Sequence, residues 1–339
     1  MAERDPERDF TWVDAERLIR FGPSVLDEAE ELLASRGFAG YALLTTSRTT
    51  GLRDGAEALV EVPSGRVDEL AAALREEVAG LPLVALGGGR VIDTAKAIAG
   101  ADDLRCAAVP TTLSGAPMTR FHRPAAGAEN PRVVRPSLVI AESGLMASQA
   151  AEERAASAMN ALAHAAEALY GPFVNPVAEI AALHAAELLS LGVQAATEEA
   201  ARPRLALGAL LAGYAVGSAG FALHHVVGQS FVRVTGAPHA ASYAVLLPHT
   251  LRAMADRAPR ALGKLAVALG NVDPDPAAAP ERVARLAAAA GATRLSQLGV
   301  EREQLHEAAV VAAARPDLAT NVPDPPGIEE ILRLLEAAY

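Results

Sequence analysis

A short apolar run that ends in three glycines constrains the fold of this chain more than any other stretch. Leu83–Leu86 has the length and composition of a buried parallel strand, and Gly87-Gly88-Gly89 follows it directly. Val91–Ala99 then has the apolar spacing of a helix. Such a turn can hold a phosphate, because glycine lets the backbone approach closely and the helix N-terminus supplies free N–H groups. The spacing differs from the dinucleotide fingerprint GxGxxG, so an ordinary tight turn stays open as the alternative.

Two charged residues lie on the helix that leaves this turn. Asp93 and Lys96 are three positions apart, which is the spacing of an ordinary surface ion pair. Because the helix begins at the glycines, Asp93 is also a candidate contact for a bound nucleotide.

The first part of the chain alternates strands with helices. Helices are predicted at Pro23–Arg36 and Val67–Ala79, and strands at Tyr41–Thr46, Ala58–Val62, Leu83–Leu86, Arg105–Val109 and Ser137–Ala141. This alternation favours a parallel sheet with right-handed crossovers, in which ligands bind at the carboxyl ends of the strands. Thr46–Arg48, Gly87–Gly89 and Pro110–Ser114 all fall at such ends.

The strand pattern stops near residue 148, and the rest of the chain is predicted to be helical. The predicted helices are Ala150–Tyr170, Pro176–Gln194, Arg202–Leu223, Ser242–Asp256, Pro259–Leu269, Pro280–Ala290, Arg302–Ala314 and Gly327–Ala338. We therefore predict an α/β domain over residues 1–146, an all-helical domain over residues 147–339, and a ligand cleft between them.

The composition narrows the choice of partners. The net charge is −11 without a basic cluster, which argues against nucleic acid and anionic membranes. The single cysteine, Cys106, rules out an intrachain disulfide and is typical of a reducing compartment. The N-terminal residues lack the apolar segment of a leader, and no apolar run reaches membrane-spanning length. We expect a cytoplasmic protein with a small-molecule ligand.

Histidines and one asparagine recur in the helical half. Asn160 and His164 are four residues apart and share one helix face, and His224, His225 and His239 follow later. Histidines spread in this way are often only hydrogen-bonded core or surface groups. From the residues alone, a site shared by these side chains is one interpretation and separate structural roles are the other.

The order of the motifs resembles a known superfamily. GGGRVIDTAKAIAG is followed by PTTLSGAPMT, then MNALAHAAEALY, HVVGQSF and PHAASYAVLLPH. This order resembles the iron-containing (group III) alcohol dehydrogenases, and the nearest-looking branch is that of the maleylacetate reductases. The resemblance implies a Rossmann-like dinucleotide-binding domain, an all-α domain as in dehydroquinate synthase-like folds, and a homodimer. It also implies that NAD(P)H binds with its pyrophosphate on Gly87–Gly89 and its nicotinamide near Thr111, Thr112 and the histidines.

The positions that bind metal in this superfamily are altered. Metal-dependent relatives use an aspartate and three histidines, and these positions here are Asn160, His164, Phe221 and His239. A neutral amide and a phenyl ring cannot replace an anionic ligand and an imidazole. We expect no catalytic metal.

The residues expected to bind the cofactor and the substrate also differ from the pattern of the superfamily. The acidic residue that usually binds the adenosine ribose is replaced in Thr46-Ser47-Arg48, and Arg48 would favour NADPH by meeting a 2′-phosphate. Arg120, His122 and Arg123 follow the PTT turn and form a candidate clamp for substrate carboxylates. A solvated basic loop is the alternative for these three residues.

These residues favour a metal-independent NAD(P)H-dependent reductase acting on a small carbonyl or enoate substrate. Histidine can supply the proton that a reduction needs, and His225 is the candidate general acid. His164 and His239 would orient the substrate, with Asn160 as a hydrogen-bond donor and His224 and Phe221 as further substrate contacts. A dehydrogenase fold turned to non-redox chemistry (a lyase, isomerase or cyclase) and a non-catalytic binding protein are the alternatives.

Overall fold

The computed structural model describes residues 7–47 and 51–339, which form two compact units. Unit 1 ends at Ser148, and unit 2 is Gln149–Tyr339. The sequence-based boundary between residues 146 and 147 lies two residues earlier.

Unit 1 is built on a seven-stranded sheet with the order β1-β2-β7-β6-β5-β3-β4. The strands are β1 Phe10–Asp14, β2 Arg17–Gly22, β3 Tyr41–Thr45, β4 Ala56–Glu61, β5 Leu83–Gly87, β6 Cys106–Pro110 and β7 Leu138–Glu142. Its helices are α1 Ala29–Ser35, α2 Val67–Leu74, α3 Gly89–Asp102 and α4 Ser143–Met146. Strand β1 pairs antiparallel with β2, and the other pairs among the described strands are parallel. The predicted α/β class is confirmed.

Strand β5 shows why its sequence is continuously apolar. All five of its residues are buried. Leu83 and Ala85 belong to the apolar cluster that includes α3, whereas Val84 and Leu86 belong to the cluster that includes α1. A strand covered on both faces loses the usual alternation of polar and apolar residues.

Strands β1 and β2 were not predicted from the sequence. In this antiparallel pair, Trp12 lies opposite Ile19. The residues of β1 are alternately half-buried and exposed, and β2 carries two arginines, so neither segment has a strong apolar signal. Arg17 of β2 is nevertheless buried, because its guanidinium donates to the carbonyl oxygen of Pro136 at 3.2 Å.

Unit 2 consists of helices. They are α5 Ala151–Ala168, α6 Pro176–Val193, α7 Glu198–Ala219, α8 Leu223–Thr235, α9 His239–Met254, α10 Pro259–Ala268, α11 Ala278–Ala287, α12 Gln304–Ala313, α13 Pro316–Asn321 and α14 Ile328–Ala338. Within residues 149–339, all of which the structure describes, there is no strand. This agrees with the predicted all-α part of the fold.

The predicted helix Arg202–Leu223 was wrong at both ends. Helix α7 begins earlier, at Glu198, where the Thr197 hydroxyl accepts a hydrogen bond from the Ala200 N–H at 3.3 Å. It ends at Ala219, and the chain turns at Gly220, where φ is +84°. Helix α8 then runs at 101° to α7. Helix α8 was not predicted at all, because the apolar sequence of α7 continues through the turn and Gly220 is the main signal of the break.

Helix α6 is long and apolar enough to cross a membrane by length and composition, with a mean hydropathy of 1.3. Within the described residues, the bent pair α7 and α8 passes the same test when both are taken together. Of the α6 window, 44% is buried inside the protein. Core helices also satisfy this criterion, so it is weak evidence for a membrane span.

Candidate active site

The glycine turn of unit 1 packs against the segment that follows β6. The Thr111 N–H donates to the carbonyl oxygen of Gly87 at 3.0 Å. A Cβ on Gly88 would lie 3.0 Å from Thr112 Cγ2, and one on Gly89 would lie 3.1 Å from Ser114 Oγ. The predicted cofactor residues Gly87–Gly89, Thr111 and Thr112 therefore lie together.

This turn fits a phosphate group chemically. Gly88 is the N-cap of α3 in an extended conformation, so the first N–H groups of that helix are available to an anion. The buried Ser114 Oγ, close to Gly89, has no hydrogen-bond partner among the described residues. A buried hydroxyl of this kind is a ready donor to a phosphate oxygen.

Asp93 and Lys96 form an ion pair, but the lysine is buried rather than at the surface, as the simpler interpretation of their spacing had it. Lys96 is fully buried, and its Nζ donates to Asp93 Oδ1 at 2.8 Å. The same ammonium donates to the carbonyl oxygens of Phe121 at 2.9 Å and Ala116 at 3.2 Å. Lys96 thus ties α3 to the loop that follows the Thr111–Thr112 turn.

The three residues of the candidate anion clamp, Arg120, His122 and Arg123, lie in different environments. Both ring nitrogens of His122 contact the backbone, with Nδ1 3.1 Å from the carbonyl oxygen of Arg123 and Nε2 3.2 Å from the Val134 nitrogen. Burial lowers the pKa of His122, so the ring is neutral and joins two loop segments. His122 therefore has no ring nitrogen left for a substrate carboxylate, contrary to the expectation from the sequence. Arg120 and Arg123 are exposed, and their role stays a prediction.

The end of β3 lies beside the turn as well. The Thr45 hydroxyl donates to the carbonyl oxygen of Leu86 at 3.0 Å, which joins the carboxyl ends of β3 and β5. Ser47 is exposed two residues later. Arg48 lies outside the described residues, so its contact with a 2′-phosphate stays a prediction.

In unit 2, the predicted site residues with rings lie on or beside different helices and pack into one aromatic cluster. Phe221 stacks on His225 with ring centroids 4.1 Å apart, and His164 stacks on His225 at 4.9 Å. His239, the first residue of α9, stacks on Tyr243 at 4.1 Å, and Tyr243 lies 5.3 Å from His225. Tyr243, which the sequence analysis missed, therefore connects His239 to the other rings.

Glu167 is the second residue that was missed. It is fully buried on α5, and one carboxylate oxygen accepts a hydrogen bond from the His225 N–H at 3.1 Å. Its other oxygen forms a hydrogen bond with His225 Nδ1. Its place in the sequence was a signal, because Glu167 follows His164 by three residues and Asn160 by seven, on the same helix face.

His224 points to a different role from the predicted substrate contact. It is fully buried, and its Nδ1 lies 3.0 Å from Thr250 Oγ1. The Thr250 hydroxyl donates to the carbonyl oxygen of Leu247 at 3.0 Å, so His224 Nδ1 donates to Thr250. His224 is an anchor between α8 and α9.

Burial controls the charge of the cluster. It lowers the pKa of His164 and His225 well below the usual histidine range, and lowers the pKa of His224 to about 3. The pKa of His239 is lowered for the same reason. Burial raises the pKa of Glu167 to about 7. The cluster therefore holds neutral imidazoles beside a carboxyl group that titrates near neutral pH.

Four buried polar atoms in the cluster have no hydrogen-bond partner among the described residues. They are Asn160 Oδ1, His164 Nδ1, His224 Nε2 and the Tyr243 hydroxyl. Buried polar atoms are normally satisfied, so these atoms are available to a polar ligand.

The cluster does not fit a metal ion. At two of the superfamily's metal positions the chain has the Asn160 amide and the Phe221 ring. In residues 7–47 and 51–339, no group of three or more histidine, cysteine, aspartate or glutamate side chains is arranged to hold one. A divalent ion needs several anionic or imidazole ligands around one point, and the imidazoles of this cluster are not arranged in that way.

Comparison with known proteins agrees with this fold and these motifs. Residues 154–339 match the C-terminal model of the Fe-containing alcohol dehydrogenase family, and residues 20–119 match an iron-containing alcohol dehydrogenase model. The chain therefore belongs to the iron-containing alcohol dehydrogenase family and is an oxidoreductase.

The relatives with similar sequences include maleylacetate reductases, as expected from the motifs. Maleylacetate reductase 2 of Cupriavidus pinatubonensis is 36% identical over 77% of this chain and 72% of that protein. Maleylacetate reductase of Sphingobium indicum is 31% identical over 97% of this chain and 91% of that protein. The crystal structure of maleylacetate reductase from Agrobacterium tumefaciens has a TM-score of 0.82 and 29% identity, covering 98% of both chains. The predicted superfamily and its nearest branch are confirmed.

Proposed function

We propose that this protein is a metal-independent reductase that uses NAD(P)H to reduce a small carbonyl or enoate substrate. The observation that carries this proposal is the histidine cluster of unit 2. It retains His164 and His239 at two of the superfamily's metal positions, together with His225, but has Asn160 and Phe221 at the other two. Similarity to maleylacetate reductases supports reduction as the reaction.

The glycine turn of unit 1 would bind the cofactor. The N–H groups at the start of α3 and the Ser114 hydroxyl would hold its pyrophosphate, with Thr111 and Thr112 beside it. The bound nicotinamide supplies a hydride. We favour NADPH over NADH because of Arg48.

The residues of the cluster would replace a metal in stabilising charge on the substrate. A carbonyl or dienolate oxygen that gains negative charge needs a hydrogen-bond donor or a proton. His225 would donate the proton, while His164, His239 and the Asn160 amide would orient the substrate. Arg120 and Arg123 would attract substrate carboxylates.

Calorimetric titration of NADH and NADPH into the purified protein tests the proposal. We expect binding tighter than the millimolar range, and NADPH-dependent reduction of maleylacetate as a probe substrate. Gly88→Val should abolish nucleotide binding, since its side chain would meet Thr112. His225→Ala should bind nucleotide normally but lower kcat by about 10²–10⁴-fold.

Two outcomes would overturn the assignment. If neither nucleotide binds more tightly than the millimolar range, the redox function is wrong and non-redox chemistry on this fold becomes the better hypothesis. If elemental analysis finds about one iron or zinc per chain, and chelation removes metal and activity together, the metal-independent mechanism is wrong. The proposed homodimer and cytoplasmic location are checked by sedimentation and cell fractionation.

A further inference from the structure

We propose that Glu167 is a positioning residue that fixes the Nδ1 side of His225 and directs the transferable proton to Nε2. The proposal rests on the proposed function, since it concerns the proton that a reduction consumes. The position of that proton can be measured without any turnover.

Glu167 holds both the backbone and the ring of one residue. Its carboxylate oxygens contact the His225 N–H and the His225 Nδ1 atom. Helix α8 begins after Ala222, whose side chain cannot act as a cap, so Glu167 also caps this helix from α5. The ring of His225 is further restrained by stacking on Phe221.

This geometry fixes where a proton is gained or lost. When the pair has lost one proton, the carboxylate keeps hydrogen on Nδ1 and leaves a lone pair on Nε2. When the pair gains one, Nε2 carries hydrogen whether the inner proton lies on Nδ1 or on Glu167. The single titrating proton of the pair therefore always appears on Nε2, which faces away from Glu167.

The proton balance of a carbonyl reduction follows. A bound reduced nicotinamide would supply a hydride to the carbonyl carbon and become oxidised while the C=O π bond breaks. The oxygen would take the proton from His225 Nε2, so that one C–H and one O–H bond form. The Glu167–His225 pair changes from neutral to a charge of −1 and regains a proton from solvent. In the reverse direction, the same Nε2 lone pair accepts the proton.

The surroundings set the pH of this change near neutrality. Burial is the main cause that raises the pKa of Glu167 to about 7, opposed by His224 and by backbone N–H groups at the start of α8. The pKa of His225 is lowered by burial, His239 and Arg315. Several titratable or charged groups face the pair: His164 of α5, Tyr170 just after α5, His224 of α8, His239 and Tyr243 of α9, and Arg315 before α13.

Nitrogen-15 NMR of histidine-labelled protein tests the proposal, with His225→Ala used to assign the His225 signals. We expect Nε2 of His225 to change from protonated to unprotonated with a midpoint near pH 7, while Nδ1 stays protonated above it. In Glu167→Gln this change should disappear between pH 5 and 9. Glu179 forms an ion pair with Lys264 away from the cluster, so Glu179→Gln is the control. In this variant the change at His225 Nε2 should persist.

The pH dependence of kcat provides a second, independent test. The kcat of the wild type should fall tenfold per pH unit above the midpoint, and that of Glu167→Gln should be lower by about 10–10²-fold without this midpoint. Glu167→Asp keeps the charge on a shorter side chain, so it should shift the NMR midpoint rather than remove it. This variant serves if the glutamine variant does not fold.

An unchanged His225 titration in Glu167→Gln, or an Nε2 atom that stays protonated up to pH 9 in the wild type, would overturn the proposal. If the NMR midpoint behaves as expected but NAD(P)H neither binds nor supports reduction, the positioning role stands and the reductase assignment fails.

Discussion

Lys96 allows the energetic role of one buried charge to be measured against a matched surface charge. The chain contains two lysines, Lys96 and Lys264, and both form ion pairs. The Lys96 side chain is 0% exposed, whereas the Lys264 side chain is 30% exposed. We therefore compare Lys96→Met with Lys264→Met, which removes each ammonium while keeping an unbranched apolar chain.

The expected cost of Lys96→Met follows from its partners. The buried carbonyl oxygen of Ala116 loses a charged donor, and leaving a buried acceptor unsatisfied costs about 1–3 kcal/mol. The carbonyl oxygen of Phe121 loses the same donor but is only partly buried. The Asp93 carboxylate is 28% exposed and can be rehydrated, which limits its share. We expect the free energy of unfolding to fall by about 3 kcal/mol, near the lower end for breaking a buried ion pair. Lys264→Met should cost less than about 1 kcal/mol, as surface pairs do.

Urea unfolding followed by tryptophan fluorescence, which reports unit 1 through Trp12, and by circular dichroism provides the assay. The midpoint of unit 1 should move to lower urea in Lys96→Met, with an unchanged m-value. Equal losses of stability in the two methionine variants would refute the reasoning, because burial would then not determine the cost. A stabilised Lys96→Met would show that desolvation of the ammonium exceeds the gain from its hydrogen bonds.

Further predictions concern stability. Gly100→Ala should destabilise unit 1 by about 2 kcal/mol or more in urea unfolding, since its Cβ would lie 2.2 Å from the carbonyl oxygen of Arg132. Gly327→Ala, whose Cβ would meet nothing within 4 Å, should change stability by less than about 0.5 kcal/mol. Because burial raises the folded-state pKa of Glu167 from 4.5 to about 7, its stabilising contribution is present below pH 4.5 and lost as pH rises through 7. The difference in free energy of unfolding between Glu167→Gln and wild type should therefore shift in favour of the variant from pH 5 to pH 8. Urea unfolding should show a shift of up to about 3 kcal/mol. The pKa of His224 is lowered to about 3, so His224→Gln should reduce the stability lost when wild type is acidified from pH 6.5 towards 3.

The sequence predicts the parts of the fold whose signals are local. The strand β5, the glycine turn and α3 follow from apolar runs and glycines within one stretch. Helix α8, which was not predicted, also lacks a local capping residue, because its His225 N–H donates to Glu167, 58 residues away in the sequence. Capping by a remote side chain leaves no pattern near the helix.

The same limit applies to the candidate site. The histidines were found from their motifs, but their neutral state depends on burial that only the folded chain reveals. His122 resembled an anion contact because it lies between arginines, yet backbone groups occupy both its nitrogens. Tyr243 lies among alanine, valine and leucine, where an aromatic residue is most simply interpreted as core.

The position of Trp12 on β1 gives the protein an optical probe confined to one unit. It is the only tryptophan in the chain, and its strand pairs with β2 at the edge of the unit 1 sheet. Its emission should therefore report the unfolding of unit 1, whereas far-ultraviolet ellipticity is dominated by the helices of unit 2. If the two signals change at different urea concentrations, the units unfold separately; if they coincide, unfolding of one unit is coupled to the other.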